Sequence, residues 1–203
     1  MNAHKGKTAV AVSADDIKQT LPGYNPRASH LVHRESTRIA DRQFFFLLKD
    51  TDYNDVVLMS GGSASGKTEY IETFLLDEEH IIFDGTLPTV LGASIKIKQA
   101  QKYKKNVSIH AVIPDDLRRA YLAFLGRERQ YEDIHFFRTH SDSRRTLLNI
   151  ASAYPDMKIT LIESSYRRNM LRFEEFIFPV REDMIEFLES IQYTESEIQH
   201  FVV

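Results

Sequence analysis

Cysteine is missing from this 203-residue chain. Its absence excludes disulfides, a thiolate nucleophile and cysteine-ligated zinc, so stability has to come from packing. No apolar stretch reaches the roughly 20 residues that span a bilayer, and Met1 to Lys7 lack the apolar centre of a secretion signal. A cytoplasmic protein without a membrane partner is expected. Positive charge is not in excess either: 26 Lys and Arg against 29 Asp and Glu leave a net charge of −3, which argues against nucleic-acid binding through bulk electrostatics. No internal repeat or low-complexity segment is present. The remainder, 42% hydrophobic and 27% charged residues, is ordinary for a globular protein. The length suits one α/β domain with a small lid, covering 1–203 with a core over about 8–163 and a helical tail over about 167–203.

Against that plain background one segment stands out. Gly61-Gly62-Ser63-Ala64-Ser65-Gly66-Lys67-Thr68 matches G-x-x-x-x-G-K-[ST]. The apolar run from Val56 to Met59 precedes it, and Ile71, Phe74 and Leu75 follow at helical spacing, so strand, loop and helix occur in the order a phosphate-binding loop requires. A loop free of bulky side chains can turn its N–H groups inward around phosphates. Lys67 is placed to reach the β and γ phosphates, Thr68 to offer its hydroxyl to Mg²⁺ (magnesium), and the positive end of the following helix adds its field. ATP with Mg²⁺ is the expected ligand.

Short β-type runs at Thr8 to Ser13, Val56 to Ser60, His80 to Asp84, Val107 to Ile113 and Lys158 to Glu163 alternate with helical segments. This predicts an α/β fold of the P-loop NTPase type, a parallel five-stranded sheet with helices on both faces, whose ligands gather at the C-terminal strand ends. The third run leads into Asp84-Gly85-Thr86 like a Walker B strand. Its acid could hold Mg²⁺ through a water or bind substrate hydroxyls, or simply cap the next helix or turn. A helix beginning near Glu35 has a candidate face of Ile39, Gln43, Phe46 and Leu47, and Phe44, Phe45 and Phe46 read as core. From Arg167 onward the chain reads as helical, with Met184, Ile185, Leu188 and Ile191 on one stripe, and Thr194-Glu195-Ser196-Glu197 fits a capping box.

Other clusters carry less. His30 and His33 near Glu35 follow Pro26 without a settled period, so hydrogen bonding or substrate contact by His33 is preferred to a metal site; His135 and His140 have no partner pattern. Lys96, Lys98, Lys102, Lys104 and Lys105 are interspersed with Ile95, Ile97 and Ala100 and read as the solvated face of a helix.

Four blocks together resemble the zeta-toxin family of P-loop kinases. They are the phosphate loop, Ala14-Asp15-Asp16-Ile17-Lys18 with Leu21-Pro22-Gly23-Tyr24, His33-Arg34-Glu35-Ser36, and Asp84-Gly85-Thr86. The resemblance covers about residues 8 to 163 and implies ATP-dependent transfer of the γ-phosphoryl group to a small-molecule hydroxyl, as type members do to UDP-N-acetylglucosamine. It aligns Asp15 with the catalytic acid, although Asp15 or Asp16 could instead cap the helix holding Lys18. By the same resemblance Lys18, His33, Glu35, Asp84 and Thr86 contact substrate, and the catalytic set is Asp15, Lys67, Arg127 and Arg129. The two arginines belong to a lid over the transferring phosphoryl group, with Arg138, Arg144 and Arg145 as further candidates. An antitoxin-like protein partner is also implied.

One departure from the family is large, because here the Asp15 unit precedes the phosphate loop instead of following it. The same site can still form if the chain enters at an outer strand, crosses to the centre and returns between them. The predicted spatial order is therefore Thr8–Ser13, His80–Asp84, Val56–Ser60, Val107–Ile113, Lys158–Glu163. Two other functions fit the same loop: a polynucleotide 5′-hydroxyl kinase, favoured by the lysine segment, and a nucleotide-binding switch without transfer activity.

Overall fold

The computed structural model describes residues 9–128, 131–167 and 170–203. Six strands form one sheet: β1 (Val10–Ser13), β2 (Asp55–Ser60), β3 (His80–Asp84), β4 (Asn106–Pro114), β5 (Lys158–Arg167) and β6 (Met170–Phe176). Their spatial order is β1-β3-β2-β4-β5-β6. The first five strands are parallel and follow the order expected from the sequence, with β3 inserted between β1 and β2. Thr8, expected at the start of the first strand, lies outside the described residues.

The sixth strand corrects two expectations, that the sheet has five strands and that the tail from Arg167 is wholly helical. β6 runs antiparallel to β5 in a hairpin. The alternation of exposed and half-buried positions runs only from Met170 to Glu174, and with Met170 on the exposed side the apolar residues themselves show no clean period of two. Beyond it, α7 (Arg181–Ser190) and α8 (Glu195–Val202) are helical, and the Thr194–Glu197 capping box is formed.

Side chains alternate across the central strands, as a sheet covered on both faces requires. Val56, Leu58, Ile81, Phe83, Ile109, Ala111, Ile159 and Leu161 enter one core, shared with α2 (His33–Asp50), α4 (Val90–Lys102) and α6 (Asp133–Ala153). Val57, Met59, Ile82, Val112 and Ile162 enter the other, with Ile71 and Leu75 from the helix after the phosphate loop. A third cluster joins α5 (Leu117–Leu125), α6 and α8 through Tyr121, Phe124, Phe136 and Ile198.

Two local readings change. The buried face of α2 is Ser36, Ala40, Phe44 and Leu48, an i, i+4 series one step away from the expected stripe, and Phe46 is 65% exposed. Lys96 does not belong to a solvated face: its ammonium pairs with Asp41 at 2.7 Å and lies 4.3 Å from the centre of the Phe83 ring. Lys105 likewise donates to the carbonyls of Thr51 and Tyr53, at 2.7 Å each.

The Phe44 ring is fully buried edge-on to Phe83 at 5.2 Å. Phe44→Ala should lower stability by about 3–5 kcal/mol, whereas Phe46→Ser should change it by no more than about 0.5 kcal/mol. Urea unfolding of both variants checks the assignment of this helix face.

Candidate functional site

At the end of β2 the chain turns through residues 61–66 into α3 (Lys67–Tyr70), which continues as a π-helical turn over Ile71–Leu75. Glycine is required here by geometry. Gly61 adopts φ +133°, and a Cβ on it would stand 2.4 Å from the Val112 carbonyl oxygen; a Cβ on Gly62 would stand 2.3 Å from the His140 ring. Gly66 at φ +92° and Ala64 at φ 59° complete the left-handed turns that wrap the loop.

Lys67 folds back over this loop. Its Nζ donates to the carbonyls of Gly61 and Gly62 at 2.8 Å each and lies 3.4 Å from Ser65 Oγ. Burial pulls its pKa down to about 8, with the Asp84, Asp15 and Glu69 carboxylates opposing that shift and Arg127 adding to it. A cation held at such a cost gains from a nearby anion. Thr68, in the first turn of α3, is exposed.

The acidic side is built by β1 and β3. Ser13 and Asp84 are register partners at the ends of these strands. Since β3 lies between β1 and β2, the β1 and β2 ends are two strand spacings apart, about 10 Å, and Asp15 and Asp84 both act on the Lys67 ammonium. Capping of α1 (Ala14–Thr20) falls to Ser13, whose Oγ accepts from Asp15 N at 3.2 Å, so neither Asp15 nor Asp16 is needed as the cap.

Lys18 is 1% exposed. Its Nζ donates to Asp15 Oδ1 at 2.8 Å and to the Tyr131 hydroxyl. It therefore stands behind Asp15 instead of facing a substrate. Tyr131 stacks on His135 with centroids 4.4 Å apart, and His33 stands edge-on to both, at 6.5 and 6.2 Å. Burial and the Lys18 charge lower the His33 pKa; burial and His33 lower that of His135 to about 4, so both rings are neutral near pH 7. Glu35 points elsewhere, forming an exposed pair with Arg38 at 2.6 Å. Thr86 is half-buried in the loop after β3.

On the opposite flank of the loop lies an open cleft of about 190 Å³, bordered by Gly66, Glu69, Asp116, Arg119, Arg127 and Tyr166. Arg127 thus borders this cleft, and its charge adds to the lowering of the Lys67 pKa. Arg129, its expected companion, lies outside the described residues. Arg138 pairs with Glu195 at 3.5 Å and Arg145 with Asp142, both at the surface, while Arg144 is buried. Arg119 has no counterpart among the expected site residues. It donates to the Tyr166 carbonyl at 2.8 Å and lies 5.8 Å from that ring.

Below the loop, α6 supplies contacts that no sequence pattern announces. Ser63 N–H donates to Thr139 Oγ1 at 3.1 Å, and His140 Nε2 lies 2.8 Å from the Ser63 carbonyl oxygen. Arg144 Nη1 is 3.1 Å from His140 Nδ1. A guanidinium can only donate, so Nδ1 is the acceptor and the ring proton sits on Nε2, directed at Ser63. Burial, then the neighbouring Arg144 charge, holds the His140 pKa well below its ordinary value. The i, i+4 spacing of His140 and Arg144 is plain in the sequence, but it does not distinguish a buried relay from a surface pair.

Among the described residues no group of three or more His, Cys, Asp or Glu side chains gathers as a metal cluster, and no helix is long and apolar enough to cross a membrane. A phosphate-bound Mg²⁺ needs only one or two protein ligands. The glycine cradle and the half-buried Lys67 suit an anion such as phosphate, and Thr68 and Asp84 carry the oxygen donors that Mg²⁺ takes. No protein-family profile and no curated protein matches the chain. Among solved structures, a chain of the native AvrRxo1-ORF1:-ORF2 complex superposes over 91% of this chain and 82% of its own, with a TM-score of 0.47 and 11% identity.

Because His140 stays neutral when folded and takes up a proton near pH 6.5 when unfolded, the unfolded state binds more protons below that pH, and stability falls as pH drops from 6.5. Each such histidine contributes a slope of about 1.4 kcal/mol per pH unit. Thermal unfolding between pH 7 and 5 should show a shallower decline in His140→Gln than in the unaltered protein.

Proposed function

We propose that this chain is an ATP-dependent kinase that transfers the γ-phosphoryl group to a hydroxyl of a small molecule, with a nucleotide sugar such as UDP-N-acetylglucosamine as the first acceptor to try. The observation that carries this reading is the strand order: β3 lies between β1 and β2, so the segment bearing Asp15 and the strand end bearing Asp84 stand on the same sheet edge as the loop that Lys67 folds over. Phosphoryl transfer asks for this combination: an oriented hydroxyl, a carboxylate to take its proton, and cations over the equatorial oxygens.

In this reading Gly61, Gly62, Ser63, Ala64, Ser65, Gly66, Lys67 and Thr68 cradle the phosphates, and the cleft beside Arg119 and Tyr166 takes the nucleoside. Thr68 and Asp84 hold Mg²⁺, which when bound neutralises phosphate charge. Asp15 orients the acceptor hydroxyl and accepts its proton, while Lys18 fixes the carboxylate from behind. His33, with Tyr131 and His135, borders the acceptor, and Thr86 lies close to the same strand end. Arg127 closes over the transferring group. The structural use of Lys96 and Lys105 leaves a smaller basic surface for a polynucleotide acceptor than their number suggests. An antitoxin-like partner covering the nucleotide site belongs to the same proposal.

Incubation with Mg-ATP and a metabolite pool, read by mass, should yield a phosphorylated product. Lys67→Ala should abolish transfer and weaken ATP binding; Asp15→Asn should slow transfer by about 10²-fold or more while sparing ATP binding. Equal rates in Asp15→Asn and the parent would remove that residue from the mechanism, and ATP binding without any product would favour the switch. Calorimetry offers an independent check. With the Lys67 pKa about 8, binding of a polyanion at pH 8 should take up about half a proton, seen as a heat that varies with the ionisation enthalpy of the buffer.

A further inference from the structure

The phosphate loop has a second layer. Ser63, its third residue, has both backbone groups directed into α6: the N–H donates to Thr139 Oγ1 at 3.1 Å, and the carbonyl accepts from His140 Nε2 at 2.8 Å. The hydroxyls of Thr139 and Ser63 also meet, at 3.2 Å. Gly62 lies so close to the His140 ring that no side chain fits between them. Arg144 holds that ring from the far side, with Nη1 3.1 Å from Nδ1 and 3.0 Å from the His140 carbonyl oxygen.

Arg144 is itself fixed. It is buried, its guanidinium lies 5.8 Å from the Tyr193 ring, and its carbonyl accepts from Gln192 Nε2 at 3.2 Å. Thr139, His140 and Arg144 thus stand on one face of a helix at i, i+1 and i+5, all buried. Buried polar groups are costly unless they serve one another, and the groups that this chain serves are the two loop peptides that flank the Ser63 Cα.

We infer that Thr139, His140 and Arg144 are positioning residues for the phosphate cradle, pinning the two peptides on either side of the Ser63 Cα, while Ser65 N–H turns back to the Gly62 carbonyl at 3.4 Å, so that the N–H groups at the start of α3 face an incoming phosphate. The inference rests on the proposed nucleotide site and extends it to three residues that would not touch the ligand. Preorganisation is the physical gain. A loop already held in its binding shape loses less conformational freedom when the anion arrives, and the first N–H groups of a helix have no intrahelical partner. The relay also sets a direction: Arg144 as donor forces Nδ1 to accept, and this leaves only Nε2 to donate to Ser63.

The test uses the full chain with His140→Leu, His140→Gln and Thr139→Val, and reads two quantities: ATP affinity by calorimetry and amide exchange of the peptide covering 61–68. Glutamine can still donate to the Ser63 carbonyl, whereas leucine fills the space without a donor, and valine keeps the shape of Thr139 without its hydroxyl. His140→Leu should weaken ATP binding by tenfold or more and speed exchange of the loop in the absence of ligand. Thr139→Val should do both to a smaller degree, and His140→Gln should stay within about threefold of the parent. Should His140→Leu fail to fold, the contrast between Thr139→Val and His140→Gln still decides. Unchanged affinity and unchanged loop exchange in Thr139→Val and in folded His140→Leu would overturn the positioning role. If the parent binds no ATP, the nucleotide reading falls, and loop exchange alone then decides whether α6 positions the loop.

Discussion

The half-buried Lys67, whose ammonium is turned into its own loop, is the point on which the rest of the site depends. It is held by two carbonyls of its own loop, and its proton is retained against burial by carboxylates that arrive from other strands. A cation desolvated in this way is unfavourable in isolation. It becomes useful if the protein is built to receive an anion, and the left-handed turns at Gly61, Ala64 and Gly66 shape a backbone concavity of that kind around it. Loop, lysine and strand order therefore form one arrangement, in which each part would be a cost without the others.

Charge is distributed to suit. The chain carries a net charge of −3, yet Lys67, Arg127 and Arg144 all stand near the phosphate loop and depress the His140 basicity together. On the other flank Asp15, Lys18, Tyr131 and His135 form a linked set in which the lysine is fully covered and the carboxylate is partly open. A short-range field of one sign thus sits beside a proton acceptor, and the whole lies at the carboxyl ends of parallel strands, where open α/β sheets place their ligands. The hairpin of β5 and β6 adds a wall: Leu171 and Phe173 pack against Gly66, and Phe173 against Tyr70 at 5.4 Å.

Much of this arrangement is legible in the order of residues. The strand runs and the loop follow from period and punctuation, and the insertion of β3 between β1 and β2 from what the zeta-toxin resemblance implies about the placing of Asp15 beside the loop. Other features are hidden for identifiable reasons. β6 is a short edge strand whose alternation runs only from Met170 to Glu174, with an apolar residue, Met170, on the exposed side. The stripe of α2 lies one step from the expected one because three consecutive phenylalanines satisfy several helical registers, and only contact with Phe83 selects Phe44. In the sequence Lys96 reads as solvated and Lys18 as a substrate contact by resemblance, yet each is covered because a carboxylate and an aromatic ring receive it.

By itself the sequence determined the features whose physics is local: where backbone must turn left-handed, where a helix must begin, which runs pair as strands, and which lysine follows the glycines. Those depend on a residue and its near neighbours along the chain. Only the tertiary structure decided that Thr139 and His140 brace Ser63, that Arg119 and Tyr166 border the cleft, and that Tyr131 meets Lys18. Such contacts join residues tens of positions apart, and their worth comes from burial, which no local pattern encodes.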